Sequence, residues 1–389
     1  MANWSELPDD MIEYLTSFLP IQDYHRFNAV CRNWHMVAKQ KRYSPAKQIP
    51  WLALGEMKDT KKRKFYNLLE DRYNYLDVPG LCGTILCGSS YGWLFTLDLK
   101  LNFRLVNPMT GGCYDLPRPP PFYEGHVERE MYLDSEELQR CLVFKAILDY
   151  DPGTRSDFTA LILYGECNAQ AFWRAGSTVW TAITDLPYAP DDIAFYEGKF
   201  YIVRSPCADN YSEIYTFEVG TDPKATKLKL QVPCRGDPNY IIEDTDCNCT
   251  DTDCNCTNNC TVNYLVDFGG KLHLVERFLE MSAEHRLTTE FVLHELDLEG
   301  NKYFTRQHIN ERAIFLGASS PVVINHSCYH NCMKDAIYFT DFAHIFSESY
   351  GAEDHGIYDL IGKRITPYYP RDVIHHALAA PIWFTPNPW

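Results

Sequence analysis

The sequence predicts a small all-α N-terminal unit of three helices followed by an all-β domain, a six- or seven-bladed β-propeller. Three observations carry this expectation. Apolar residues return at helical spacing over residues 4–41, and beyond residue 80 they give way to short runs rich in Val, Ile, Tyr, Phe and Leu. Those runs are bounded by Gly, Asn, Asp or Pro, which is the grammar of strands and turns. A strand-and-hairpin unit then recurs along the chain.

Pro8, followed by Asp9 and Asp10, marks the start of the first helix. Its fixed φ suits the first turn, and the acids suit the positive end of the helix dipole. Met11, Ile12, Leu15, Phe18 and Leu19 recur at three- and four-residue spacing until Pro20, which cannot continue the ladder. Asp23 can cap a second pattern in which Tyr24, Phe27, Val30, Cys31, Trp34, Val37 and Ala38 return, and a break near Cys31 divides it in two. A unit of roughly 40 residues buries too little surface to offset the entropy of ordering it, so it needs a partner or a larger domain.

The order of these residues is specific. Leu7-Pro8-Asp9-Asp10-Met11-Ile12, then Leu15, Leu19-Pro20, Asp23, Arg26-Phe27, Ala29-Val30-Cys31-Arg32 and Trp34 closely resemble the F-box. That module fastens a substrate receptor to the Skp-type adaptor of a cullin-based ubiquitin ligase. Tyr14, Tyr24 and His25 depart from its commoner residues. The resemblance implies that Leu7, Pro8, Ile12, Leu15, Leu19 and Phe27 pack on adaptor helices or inside the three-helix unit. Val30, Cys31 and Trp34 complete the candidate adaptor-binding set.

With 389 residues the chain has room for one small and one large domain. We expect the F-box at 4–42, a linker with a basic stretch at 43–79 and the propeller at 80–386. A formal net charge of −16 works against non-specific binding to nucleic acid or an anionic membrane. The basic run Lys58-Asp59-Thr60-Lys61-Lys62-Arg63-Lys64 could act as a nuclear localisation signal, but solvated charge is the plainer reading of a linker. The N-terminus has no basic region with an apolar core of the secretory type, and no run reaches the roughly 18 apolar residues of a spanning helix. The expected location is cytoplasm, nucleus or both.

Fifteen cysteines would suggest disulfides outside the cell; in a reducing compartment most are small buried hydrophobes. The sequons at Asn210, Asn248, Asn255, Asn259 and Asn325 then meet no glycosylation machinery. Residues 245–257 repeat Thr-Asp-Cys-Asn-Cys-Thr, bringing Cys247, Cys249, Cys254 and Cys256 together with Cys260 just beyond. Four thiolates can hold zinc. A tandem duplication rich in Asp, Asn and Thr instead reads as a drifting insertion near 236–262, and Cys-x-Cys is not the usual zinc spacing. His326, Cys328, His330 and Cys332 read as a loop before the Asp335 strand, and His375-His376 as structural residues. No metal or cofactor is expected.

In the β-region, Tyr196-Glu197-Gly198-Lys199-Phe200-Tyr201 is echoed by Phe268-Gly269-Gly270-Lys271-Leu272-His273, by Tyr91-Gly92-Trp93-Leu94-Phe95 and by Lys334-Asp335-Ala336-Ile337. A second echo follows at a later phase: Phe217-Glu218-Val219-Gly220, Leu296-Asp297-Leu298-Glu299-Gly300, Tyr358-Asp359-Leu360-Ile361-Gly362, and the turn Val106-Asn107-Pro108-Met109-Thr110-Gly111. Units of about 40 to 50 residues repeated this way suggest propeller blades, more than an irregular pair of sandwiches, which would not repeat one phase so often. Kelch double glycines occur only at Gly111-Gly112 and Gly269-Gly270. Val106-Asn107-Pro108-Met109-Thr110, Ile314-Phe315-Leu316-Gly317, Ile337-Tyr338-Phe339-Thr340-Asp341 and the C-terminal Pro381-Ile382-Trp383-Phe384-Thr385-Pro386 resemble a large plant family. Its members join an F-box to a kelch-like propeller domain of unassigned function.

No Gly-x-Ser-x-Gly elbow, His-Glu-x-x-His, phosphate loop or nucleotide fingerprint is present, and no catalytic residue is assigned. The resemblances imply a non-catalytic substrate-recognition subunit of an SCF ubiquitin ligase, its F-box on the Skp-type adaptor and thereby on cullin, its propeller on an unknown target protein. The alternative is a scaffold whose propeller binds a partner without ubiquitination; a propeller enzyme or metal sensor is a third class.

Overall fold

The computed structural model describes residues 4–40, 49–56, 62–121, 123–128, 134–165, 168–205, 211–219, 225–233, 259–281, 286–328, 332–340, 354–367 and 381–387, apart from 17, 20, 69, 122, 125–126, 136–137, 140–141, 185 and 187–189. The N-terminal unit has three helices: α1 (Asp9–Thr16), α2 (Ile21–Asn28) and α3 (Arg32–Gln40). Pro8 sits immediately before α1, and its carbonyl accepts from the Met11 and Ile12 amides at 3.0 and 3.1 Å. The divide expected near Cys31 lies between Asn28 and Arg32.

Six sheets follow. The second is ordered Thr84–Ser90, Trp93–Asp98, Phe103–Val106, Cys113–Leu116, and the third Val143–Leu148, Thr159–Tyr164, Ala169–Arg174, Thr181–Ile183. The fourth runs Asp192–Tyr196, Lys199–Arg204, Tyr211–Phe217, Ala225–Pro233, and the fifth Asn259–Phe268, Lys271–Met281, Arg286–Asp297, Lys302–Arg306. The leading strand of each sheet, or the residues directly after it, lines one central cavity. Sheets arranged radially in this way form a six-bladed propeller. Strands enclosed on both faces read as continuous apolar runs, as in Thr159–Tyr164, whereas outer strands such as Lys302–Arg306 are largely exposed.

The first blade closes the ring. Its leading strand is Ile382–Phe384 from the C-terminus, followed by Trp51–Glu56, Arg63–Asn67 and Arg72–Leu76. The register pairs Trp51 with Phe384, Leu52 with Trp383 and Ala53 with Ile382, so the C-terminal strand is the innermost strand of the blade that opens the ring. Trp383 also donates from Nε1 to the Leu316 carbonyl of the sixth blade at 3.0 Å and meets the Phe315 ring edge-on at 4.9 Å.

These strands correct the domain boundaries read from the sequence. The span 43–79, expected as a linker, carries three strands of the first blade. Within the basic run, Arg63 is only 4% exposed and its guanidinium donates to the carbonyls of Leu54, Leu81 and Thr84. It thereby ties the first blade to the segment that begins the second. A buried arginine and a solvated one are the same letter; only the carbonyls around it separate them. Lys58, Lys61 and the Cys247–Cys256 repeat lie outside the described residues, as do His330 and His375-His376.

The two repeating phases are two hairpin positions. At the first, Tyr91-Gly92, Glu197-Gly198 and Gly269-Gly270 each form a two-residue turn with positive φ at both positions. That geometry matches the right-handed twist of the flanking strands. At the second, an acid or amide side chain closes the turn: Asn107 Oδ1 accepts from Met109 N, Asp297 Oδ1 from Gly300 N, and Asp359 Oδ1 from Gly362 N. The sixth blade departs from the pattern, with five strands ordered Val322–Asn325, Arg312–Leu316, Ala336–Phe339, Gly356–Asp359, Arg364–Thr366 and a parallel pair at Arg312–Leu316 and Ala336–Phe339.

Packing between blades is apolar and continuous. Phe95 and Phe103 of the second blade share a cluster with Phe158, Ile162 and Trp173 of the third, and Phe291 of the fifth with Ile314 and Phe339 of the sixth. Each such side chain contributes about 1.5–3 kcal/mol on burial. Ile21 of α2 belongs to the cluster of Trp51, Ala318 and Phe384, which seats the helical unit on the propeller.

Candidate functional site

Two surfaces stand out: the outer face of the helical unit and the central cavity of the propeller. In the helical unit Ile12 and Thr16, four residues apart on α1, turn inward with Tyr24, Val37 and Ala38. Tyr24 is fully buried, and its hydroxyl donates to the Ala38 carbonyl at 2.8 Å. A tyrosine at this aliphatic position is therefore a core residue with its polar end satisfied. Phe27 stacks on Trp34 at 4.2 Å, and Trp34 Nε1 donates to the Trp4 carbonyl at 3.0 Å, pinning the N-terminal turn to α3.

The predicted adaptor-binding residues fall into three groups. Ile12 is closed inside the unit; Leu7, Leu15, Leu19, Phe27, Cys31 and Trp34 are half-buried; Pro8 and Val30 are exposed. Beyond that set, Trp4 is 66% exposed, Tyr14 61% and Phe18 66%, with Met11 and Met36 also exposed. Met11, Tyr14 and Phe18 are spaced three and four residues apart, and Tyr14 meets Phe18 edge-on at 4.9 Å. The spacing was visible in the sequence; that this stripe faces outward was not. Scattered apolar residues on a surface are ordinary; several on one small unit make this face a candidate site.

The cavity has a volume of about 350 Å³. It sits at the end where the leading strands of the second, fourth and fifth blades turn back through their two-residue hairpins. The chain after the last strand crosses its edge: Asn387 donates from Nδ2 to the Tyr91 carbonyl at 2.7 Å and to Asp151 Oδ2 at 3.1 Å. Asn107 Nδ2 holds the Asn387 carbonyl at 3.2 Å, and Trp93 Nε1 holds Asp151 Oδ1 at 3.0 Å. Burial, with the nearby Asp149, Asp151 and Asp267 carboxylates adding to it, pushes the Tyr91 hydroxyl up to about 12.

His294 Nε2 lies 2.9 Å from Glu276 Oε2, but both side chains are closed to solvent, so the pair cannot meet a substrate. His326 Nδ1 donates to the Cys332 carbonyl at 2.7 Å and is thereby committed to the loop. Among the described residues no group of three or more His, Cys, Asp or Glu is placed to hold a metal ion. Of the described thiols, Cys87 and Cys332 are buried, Cys31 is half-buried, and Cys82 and Cys113 are exposed, a more open distribution than expected. No described helix is long and apolar enough to cross a membrane.

Known proteins resemble the chain along nearly its whole length. The F-box domain profile matches residues 4–44, and the profile described as KIB1-4 beta-propeller matches residues 65–359. The Arabidopsis thaliana putative F-box protein At5g55150 is 22% identical, over 95% of this chain and 93% of its own. F-box protein SKIP23 of the same plant is 23% identical over 100% and 96%. F-box/kelch-repeat protein At1g57790, also from Arabidopsis thaliana, is 27% identical over 52% and 53%. A three-helix F-box seated on a six-bladed ring that the KIB1-4 profile spans from its first blade to its sixth places the chain in the family of F-box proteins with a KIB1-4 beta-propeller.

Proposed function

We propose that this chain is the substrate receptor of an SCF ubiquitin ligase, with the F-box on a Skp-type adaptor and the propeller on a target protein. The observation that carries this reading is the exposed apolar stripe Met11, Tyr14 and Phe18, with Trp4, Val30 and Met36, on a helical unit too small to stand alone. Leu7, Pro8 and Leu15 of the same helical unit contribute to the contact, while Ile12 and Tyr24 are buried inside the unit. Such a receptor needs no nucleophile of its own, because it contributes proximity between target lysines and the transferring subunits. It works wherever the adaptor is, in cytoplasm or nucleus.

Co-expression of the full chain with a plant Skp-type adaptor tests the reading. The expected result is recovery of a stoichiometric complex that Leu7→Ala with Pro8→Ala weakens. Folded chain that recovers no adaptor would instead support a scaffold that binds its partner without a ligase.

A further inference from the structure

Among the described residues that line the central cavity there is no lysine, arginine or histidine. Asp267, at the end of the fifth blade's leading strand, is exposed and has no ion pair or side-chain hydrogen bond among the described residues. Partial burial and the neighbouring Glu197 both hold its carboxyl above the usual range. No cation among the described residues that line the cavity compensates it. Asp151 also lines the cavity, its oxygens already engaged by Trp93 and Asn387. Tyr91, 48% exposed, and Phe195 supply aromatic surface, and Leu265 and Val322 supply apolar surface.

We propose that the cavity binds an organic cation, an alkylammonium or guanidinium group on an apolar stem, with Asp267 as its counter-ion and Tyr91 and Phe195 as aromatic walls. Its volume of about 350 Å³ lies within the range of small-ligand pockets. An aromatic wall attracts a cation through its ring quadrupole, and a partly desolvated carboxylate strengthens the attraction. A ligand of this kind would relieve the repulsion between Asp267 and Glu197. A neutral or anionic ligand would not. Where the cation is a lysine or arginine side chain of a target protein, the inference rests on the receptor reading; the binding step itself does not.

Calorimetric titration of the full chain tests it. The probes are N-acetyl-lysine N-methylamide, N-acetyl-arginine N-methylamide, the neutral norleucine analogue and n-butylammonium chloride. The cationic probes are expected to bind at least about tenfold more tightly than norleucine, with Asp267→Asn removing about that factor and Asp267→Lys removing binding. Tighter binding of the capped amino acids than of n-butylammonium assigns the cation to a protein side chain, and the reverse assigns it to a free amine; both support the site. No cation binding, equal binding of norleucine, or unchanged binding by Asp267→Lys overturns it. Adaptor co-purification on the same preparations separates the two readings, because its loss counts against the receptor role and leaves the titration result intact.

Discussion

Lys145 of the third blade forms an ion pair with Asp192 of the fourth, and the two side chains are 0% and 1% exposed. Asp192 Oδ2 also accepts from the Leu265 amide of the fifth blade at 2.8 Å, so one carboxylate joins three consecutive blades at their inner strands. Burial pushes the Asp192 carboxyl up and Lys145 draws it back toward the ionised form. Removing one member strands the other charge in the interior. Lys145→Met is therefore expected to cost about 3–5 kcal/mol by denaturant unfolding. Lys145→Met with Asp192→Leu should cost clearly less than the two single changes summed. Additive losses would mean that the pair is not coupled.

Gly92 lies where the C-terminal segment crosses the second blade. A Cβ there would stand 2.2 Å from Asn387 Cβ and 2.8 Å from the Thr385 carbonyl, at a φ of +82°. Gly92→Ala is expected to lower stability by about 2 kcal/mol or more. It should also release the C-terminus to limited proteolysis before the rest of the ring. Gly198, which has open space at the same hairpin phase, should tolerate alanine better, at the cost of its positive φ alone.

His273 stacks on Phe268 at 3.6 Å, and its Nδ1 donates to the Lys271 carbonyl at 3.0 Å. Burial lowers its pKa from the ordinary 6.5 to about 4. Between those values the unfolded chain binds a proton that the folded chain does not. Stability should thus fall as pH drops from 6.5 toward 4, by on the order of 3 kcal/mol when complete. Unfolding of the wild type and of His273→Leu across that window checks this, since the leucine variant should show a shallower slope. Parallel curves would rule it out.

Phe18 and Tyr24 separate binding from folding within one helical unit. Phe18→Asp, on the exposed side, should change stability by less than about 0.5 kcal/mol while reducing adaptor recovery. Tyr24→Phe removes the hydroxyl that satisfies the buried Ala38 carbonyl and should cost about 1–2 kcal/mol, with adaptor recovery kept in the fraction that remains folded. Thermal unfolding and pull-down of both variants distinguish the two roles.

Much of the fold was legible where the signal is local. Pro8 placed the start of α1, and the break near Cys31 placed the divide between α2 and α3, because caps and proline act on their own turn; α1 ends at Thr16, short of Pro20, and α2 begins at Ile21, ahead of Asp23 read as its cap. The echoed pairs Tyr91-Gly92, Glu197-Gly198 and Gly269-Gly270 marked one hairpin phase because a two-residue turn dictates which residues can occupy it. The first blade escaped notice because one of its strands, Arg63–Asn67, begins inside a charged stretch, where Arg63 looks solvated until the carbonyls of Leu54, Leu81 and Thr84 surround it. The sixth blade's parallel pair carries no turn signal that would announce it.

The candidate surfaces divide along the same line. Periodicity and turn chemistry depend on neighbours a few residues away, so residue order alone determined a three-helix F-box and a repeated hairpin domain behind it. Contacts across hundreds of residues depend on how the ring closes. Only the tertiary structure decided that Ile382–Phe384 completes the first blade, that Met11, Tyr14 and Phe18 face outward while Ile12 and Tyr24 do not, and that Asp267 meets Tyr91 and Phe195 around one cavity. Burial and charge compensation belong to the assembled surface, and no stretch of sequence contains them.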